Sequence, residues 1–321
     1  MTGALLLALT AGCYSPPDGA STGAPNTSRG AFVVKGTRVH VIAHRGASAE
    51  APENTLPAFQ LAAEQGADWF ELDCQLSADD EVVVIHDATL ERTTDGTGRV
   101  ADHTLAELRA LDAGSWFDPR FAGTPIPTLA EALELTPGRH RIGAYVEIKS
   151  VADERALMEQ VLARCQGHQR LEGALKAEVA ALLDASGSRN VWLARRVIEV
   201  IGSSGAGEQV VIQSFSPIVC AVTRLEAPHL RTELLGFDDP KRPEIWEGYL
   251  RWLFLLDAAG FNVSVQSVRE DRLAALSETG RTVAVWTVND EAEMRRLIGL
   301  GVDRLITDRP ALCRQVLEGL R

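Results

Sequence analysis

His44-Arg45-Gly46 and Pro52-Glu53-Asn54-Thr55 stand close together, followed by Glu71-Leu72-Asp73, His86-Asp87 and Glu147-Ile148-Lys149. Histidine can pass a proton near neutral pH, arginine can hold a phosphate through two parallel hydrogen bonds, and glycine lets the backbone approach a ligand closely. Side chains alternate along an extended segment, so Glu71 and Asp73 share one face and Leu72 takes the other. Glu147 and Lys149 share a face for the same reason. Two carboxylates on the inner face of a closed sheet repel strongly unless a cation sits between them. Carboxylate ligands with no cysteine among them suit one divalent cation of the Mg²⁺ or Ca²⁺ kind better than zinc. Three acids, two histidines, one arginine and one lysine together point to metal-dependent chemistry on a phosphoester, with the histidines as an acid and a base acting on opposite sides of one bond. Each residue also has a plainer reading: a buried structural histidine, an ion pair with Arg45 or Lys149, or a helix cap at Asn54 or Thr55.

Such groups must be carried to one place by the elements that bear them. Strands are expected at Val39–Ala43, Trp69–Asp73, Tyr145–Ile148, Val210–Gln213, Arg231–Leu234, Asn262–Val265, Val283–Thr287 and Arg304–Ile306. Between them, Thr55–Glu64, Ala152–Ala163, Asp271–Glu278 and Glu291–Ile298 place apolar residues at three- and four-residue steps, the helical pattern. Eight strands alternating with helices predict a (β/α)₈ TIM-type barrel, with an open doubly wound sheet as the alternative. The chemical residues then fall at the C-terminal ends of strands, where a barrel builds its site. Two features depart from simple alternation. An extra strand at Val82–His86 and a turn-rich stretch at Thr93–Arg99 form a small insertion after the second barrel strand, and Cys165–Asn190 reads as a polar helical excursion. Asp303 and Asp308, beside the last strand, are expected to fix the loop into the final helix. Gln213 and Phe215 are expected to pack at the barrel mouth.

The composition sets outer limits. The chain has 321 residues, 45% of them hydrophobic and 24% charged, which excludes a disordered, collagen-like or multi-span membrane protein. A net charge of −12 gives no broad attraction to nucleic acid or anionic membranes, so an anionic substrate must be met by local cations or a metal. The five cysteines show neither zinc spacing nor a disulfide framework.

At the start, residues 1–13 read MTGALLLALTAGC and resemble the end of a bacterial lipoprotein signal peptide, with Cys13 as the lipidated residue. No Lys or Arg precedes the apolar run, and Thr10 stands where leucine is usual. Residues 14–31, rich in Ser, Thr, Pro and Gly, form the expected tether, leaving 32–321 as the folded domain. This layout predicts an exported protein, membrane-anchored through Cys13 on the extracytoplasmic side, or otherwise secreted.

The motifs HRGASAEAPENT (His44 to Thr55) and ELDCQLSADDEVVVIHD (Glu71 to Asp87) closely resemble those of the glycerophosphodiester phosphodiesterase family. TLERTTDGTG, IPTLAEAL, VEIK, QSF, VWTVND and GVDRLITDRP extend the resemblance along nearly the whole domain. It implies a TIM-type barrel that hydrolyses glycerophosphodiesters to sn-glycerol 3-phosphate and an alcohol. By that resemblance Glu71, Asp73 and Glu147 are metal ligands, and His44 and His86 form the acid–base pair. Arg45, Lys149 and Asn54 lie at the phosphate or near the metal, and Trp286 walls the glycerol moiety; the role of Glu53 is open. The family reading implies a small-molecule substrate. A lysophospholipase D-type enzyme acting on membrane lipids is the alternative, with the aromatic-rich segment Ile245–Leu255 as its apolar rim. A surface lipoprotein that binds phosphodiesters without turnover is the third, disfavoured because binding alone does not require both histidines.

Overall fold

Short β-branched and apolar runs form nine strands among the residues described by the computed structural model, 38–136 and 142–320. They are β1 (His40–Ala43), β2 (Trp69–Leu76), β3 (Val82–Val84), β4 (Gly143–Ile148), β5 (Val210–Ser214), β6 (Arg231–Gly236), β7 (Gly260–Ser264), β8 (Thr282–Trp286) and β9 (Arg304–Thr307). The leader expected at 1–13 and the tether at 14–31 lie outside the described residues.

Eight strands run parallel in the order β1-β9-β8-β7-β6-β5-β4-β2, and β1 pairs again with β2 to close the ring. That last pairing, Ile42 opposite Trp69 and Ala43 opposite Phe70, makes the sheet a barrel rather than an open doubly wound sheet. β3 folds back antiparallel on the end of β2 and begins the expected insertion. The insertion has its own small core of Val83, Ile85, Leu90, Val100, Leu108, Ala113 and Ile126.

Alternation divides the barrel interior into layers. Ile42, Tyr145, Val211, Ala284 and Ile306 form an apolar layer. Below it, Glu233 is fully buried and accepts hydrogen bonds from Arg231, Arg304, Thr282 and Tyr145. Above it, towards the C-terminal ends, the register sets Asp73 beside Glu147 and Glu147 beside Gln213. The outward-facing residues, among them Leu72, Cys74, Val146 and Ile212, pack with the surrounding helices in the main core. The four cysteines of the described residues are all free and buried.

The polar excursion expected at Cys165–Asn190 is different in form. Helices Arg155–Arg164, Ala174–Ala185 and Arg189–Ser204 all lie between β4 and β5. The last is capped by Ser188 and buries Val191, Ala194, Val197 and Ile201 on one stripe, so the segment is part of the barrel's outer layer rather than an appendage. The aromatic helix Glu244–Leu255 buries Trp246, Trp252, Leu253 and Leu255. No helix among the described residues is long and apolar enough to cross a membrane.

Candidate active site

The loop after β1 makes an unusually tight turn. Gly46 has φ +84°, and a Cβ there would come within 2.6 Å of Ala58 backbone carbon, so only glycine lets the loop close on the first helix. Thr55 then caps that helix, Leu56–Glu64. This folding returns Asn54 to the end of β2. Its Nδ2 donates to Asp73 Oδ2 at 2.8 Å, and its Oδ1 accepts from the Asp73 backbone N–H at 3.1 Å. Asn54 therefore spends its amide on holding Asp73.

Glu71, Asp73 and Glu147 converge as their alternation requires. One carboxylate oxygen from each lies within 4.8 Å of the others, and all three residues are buried. Burial together with the Asp73 charge raises the pKa of Glu71, and the same two causes raise that of Glu147. Burial would also raise Asp73, but the Lys149 and Arg45 cations outweigh it and hold Asp73 low, at about 2. Lys149 Nζ lies 2.8 Å from Glu147 and 3.4 Å from Asp73, and Arg45 Nε lies 3.3 Å from Asp73. A buried, all-oxygen donor set in which like charges push carboxylates toward the neutral form fits a hard divalent cation.

The two histidines follow β1 and β3, which both pair with β2, and each has its own carboxylate. His44 Nδ1 is 2.7 Å from Asp308 Oδ1, and His86 Nδ1 is 2.6 Å from Asp87 Oδ1. Burial would lower the pKa of His44, but the Asp308 hydrogen bond and the Glu71 charge outweigh it and raise it. Burial lowers that of His86, and the Lys149 and Arg45 cations add to the effect. Opposite shifts let one ring carry a proton while the other is free to take one, which an acid–base pair needs.

Asp308 reaches this end of the barrel, whereas Asp303 precedes β9 and accepts from the Val283 N–H near the start of β8, away from the loop into the final helix. Trp286, at the end of β8, is half-buried; its Nε1 donates to the Asn262 carbonyl and its ring meets Phe215 edge-on at 5.5 Å. Phe215 continues to the exposed Phe237 and on to Tyr249, an aromatic chain across the mouth.

Three features were not anticipated. Asp308 does more than fix a loop: it is the His44 partner, and it is held by Ser48 and Asn289. The signal was available, because closing the barrel puts β1 beside β9 and the residues following each strand must then meet. Gln213 donates to Glu71 Oε1 at 3.3 Å and accepts from Asn262 Nδ2 at 2.8 Å, a polar relay behind the acidic cluster. Arg92, in the insertion, bridges Glu53 and Asp87.

A profile of the Glycerophosphoryl diester phosphodiesterase family matches residues 44–168 and 149–312. A glycerophosphodiester phosphodiesterase of Bacillus subtilis (strain 168) is 30% identical over 290 residues, covering 88% of this chain and 87% of its own. One from Caldanaerobacter subterraneus subsp. tengcongensis is 34% identical over 273 residues, covering 84% and 94%. Among solved structures, an Oleispira antarctica phosphodiesterase in complex with the product sn-glycerol-3-phosphate superposes with a TM-score of 0.69 at 28% identity, covering 87% of this chain and 96% of that one.

Proposed function

Since the chain belongs to the glycerophosphodiester phosphodiesterase family, we propose that it hydrolyses soluble glycerophosphodiesters to sn-glycerol 3-phosphate and an alcohol, using one divalent cation and the His44–His86 pair. The observation that carries this reading is the buried Glu71–Asp73–Glu147 cluster flanked by two histidines, each braced by a separate carboxylate.

Glu71, Asp73 and Glu147 would hold Ca²⁺ or Mg²⁺, which when bound supplies Lewis-acid stabilisation of charge on the phosphoryl oxygens. Arg45 and Lys149 place positive charge beside the same cluster, where it can orient the phosphate and stabilise its developing charge. One histidine accepts the proton of the attacking hydroxyl, and the other donates a proton to the alcohol oxygen as its bond to phosphorus breaks. Over the full cycle one water is consumed and both rings return to their starting states. Trp286 offers a flat apolar wall to the glycerol carbons. Asn54 acts through Asp73, whose carboxylate and backbone it holds.

The alternative, hydrolysis of membrane lysophospholipids, drew on an apolar rim in Ile245–Leu255. That segment buries Trp246, Trp252, Leu253 and Leu255 in the core and exposes Phe254, whose ring lies under the Arg281 guanidinium. Anchorage through Cys13 on the extracytoplasmic side remains part of the proposal and rests on the leader-like residues 1–13 alone.

Phosphorus NMR of glycerophosphocholine incubated with the protein and Ca²⁺ or Mg²⁺ tests the reaction. The expected result is loss of the diester resonance and growth of sn-glycerol 3-phosphate as the phosphorus product. Release of phosphocholine instead would show that the other ester bond breaks and would overturn the reading.

A further inference from the structure

Arg92 belongs to the insertion rather than to the barrel, and its side chain is 44% exposed, yet all three of its donor positions are committed to the active-site rim. Nη1 and Nη2 donate to the two oxygens of Glu53, each at 2.8 Å, and Nε donates to Asp87 Oδ2 at 2.5 Å. Each carboxylate passes the contact inward. Asp87 Oδ1 meets His86 Nδ1 at 2.6 Å, and Glu53 Oε1 accepts from Arg45 Nη1 at 2.9 Å.

We infer that Arg92 is a positioning residue that sets the His86 ring through Asp87 and the Arg45 guanidinium through Glu53; the inference rests on the phosphodiesterase reading above. Asp87 follows His86 directly, and its carboxylate is held between the His86 ring and Arg92 Nε. Pinning Oδ2 from outside fixes the direction of Oδ1 and so the ring it holds. Glu53 is shared by two guanidinium groups. Without Arg92 its carboxylate is free to turn wholly toward Arg45 and draw that side chain off the acidic cluster. The planar fork of arginine reaches three oxygens in fixed directions, whereas a lysine ammonium is one point charge and cannot meet both carboxylates in this geometry.

Steady-state kinetics and Tm for R92Q, R92K, D87N and D87N/R92Q provide the test, run beside wild type with saturating divalent cation. Wild-type turnover must be present; its absence defeats the phosphodiesterase reading and not this inference. With turnover present, R92Q is expected to lower kcat roughly 10- to 100-fold and raise KM several-fold. R92K, which keeps the charge but not the planar fork, should restore little of either. In the D87N background R92Q should lower kcat no further while still raising KM, because the histidine arm is already cut and the Glu53 arm is not. If R92Q fails to fold, the kcat and KM of R92K at a wild-type Tm decide the matter. Wild-type kcat and KM in R92Q, their recovery in R92K, or independent multiplication of the R92Q and D87N effects on kcat would each overturn the inference.

Discussion

Asp308 Oδ1 sits 2.7 Å from His44 Nδ1 although 264 positions separate the two residues. Barrel closure produces the contact: β1 pairs with β9 with Ala43 opposite Thr307, so the residues after these two strands emerge side by side. Asn289 and Ser48 both donate to Asp308, which fixes its carboxylate before it meets the ring. A carboxylate held in this way selects the tautomer of the histidine and favours its protonated form.

Asp308→Asn keeps the shape but removes the charge and replaces one of the two acceptor oxygens, which take bonds from His44, Ser48 and Asn289, by a donor. It should lower kcat roughly 100- to 1000-fold while leaving KM and divalent-cation affinity near wild type. Steady-state rates beside a cation titration check this. A kcat within threefold of wild type would remove Asp308 from any role in setting His44.

Glu71→Gln should separate stability from metal binding. The amide relieves like-charge repulsion among three buried carboxylates, so the metal-free variant should melt no lower than the metal-free wild type. A cation at a hundredfold excess over its Kd stabilises the wild type by about 2.7 kcal/mol, a shift of several degrees that the variant should lack. A normal cation-induced rise in Tm would take Glu71 out of the ligand set.

Glu233→Leu probes the barrel floor. Glu233 lies 2.6 Å from Arg304 Nη1 and 2.8 Å from Arg231 Nε with no exposure of its own. Its loss strands buried positive charge and should cost about 3–5 kcal/mol in urea denaturation. Turnover per folded molecule should not change, because the floor lies beneath the apolar layer and away from the acidic cluster.

Asp68 makes acid stability traceable to one group. Burial would raise its carboxyl, but the His40 ring at 3.6 Å, the Val41 N–H and Arg314 outweigh it and bring the pKa from 3.8 to about 2. A depressed folded pKa gives stability that is present above about pH 4 and lost as pH falls toward 2. Asp68 is partly exposed, so the contribution is of order 1 kcal/mol. Asp68→Asn should flatten the fall in stability across that window; an unchanged profile would mean that Asp68 has the same pKa in the unfolded chain.

The barrel was legible because parallel strands buried on both faces read as apolar runs, and the strand-end acids and histidines broke those runs where side chains meet the mouth. Period-two alternation alone put Glu71 and Asp73 together. The partners of the histidines were harder to read. Asp87 lies next to His86, but Asp308 becomes a neighbour of His44 only when β1 and β9 meet, and Gln213 reaches Glu71 only through the β2–β4 and β4–β5 registers together. Arg92 carries no periodic signal at all; it sits in a turn-rich insertion whose fold depends on a separate small core. The helix Arg189–Ser204 was masked by the Ser186-Gly187-Ser188 turn that precedes and caps it.

In the reaction proposed, the Glu71–Asp73–Glu147 cluster holds a divalent cation on which phosphodiester hydrolysis depends. Its most direct test is release of sn-glycerol 3-phosphate from glycerophosphocholine by the purified protein, with and without EDTA. The expected result is release that EDTA abolishes and that added Ca²⁺ or Mg²⁺ restores, with no restoration in Glu71→Gln. Release that persists undiminished in EDTA, or full restoration in that variant, would contradict it.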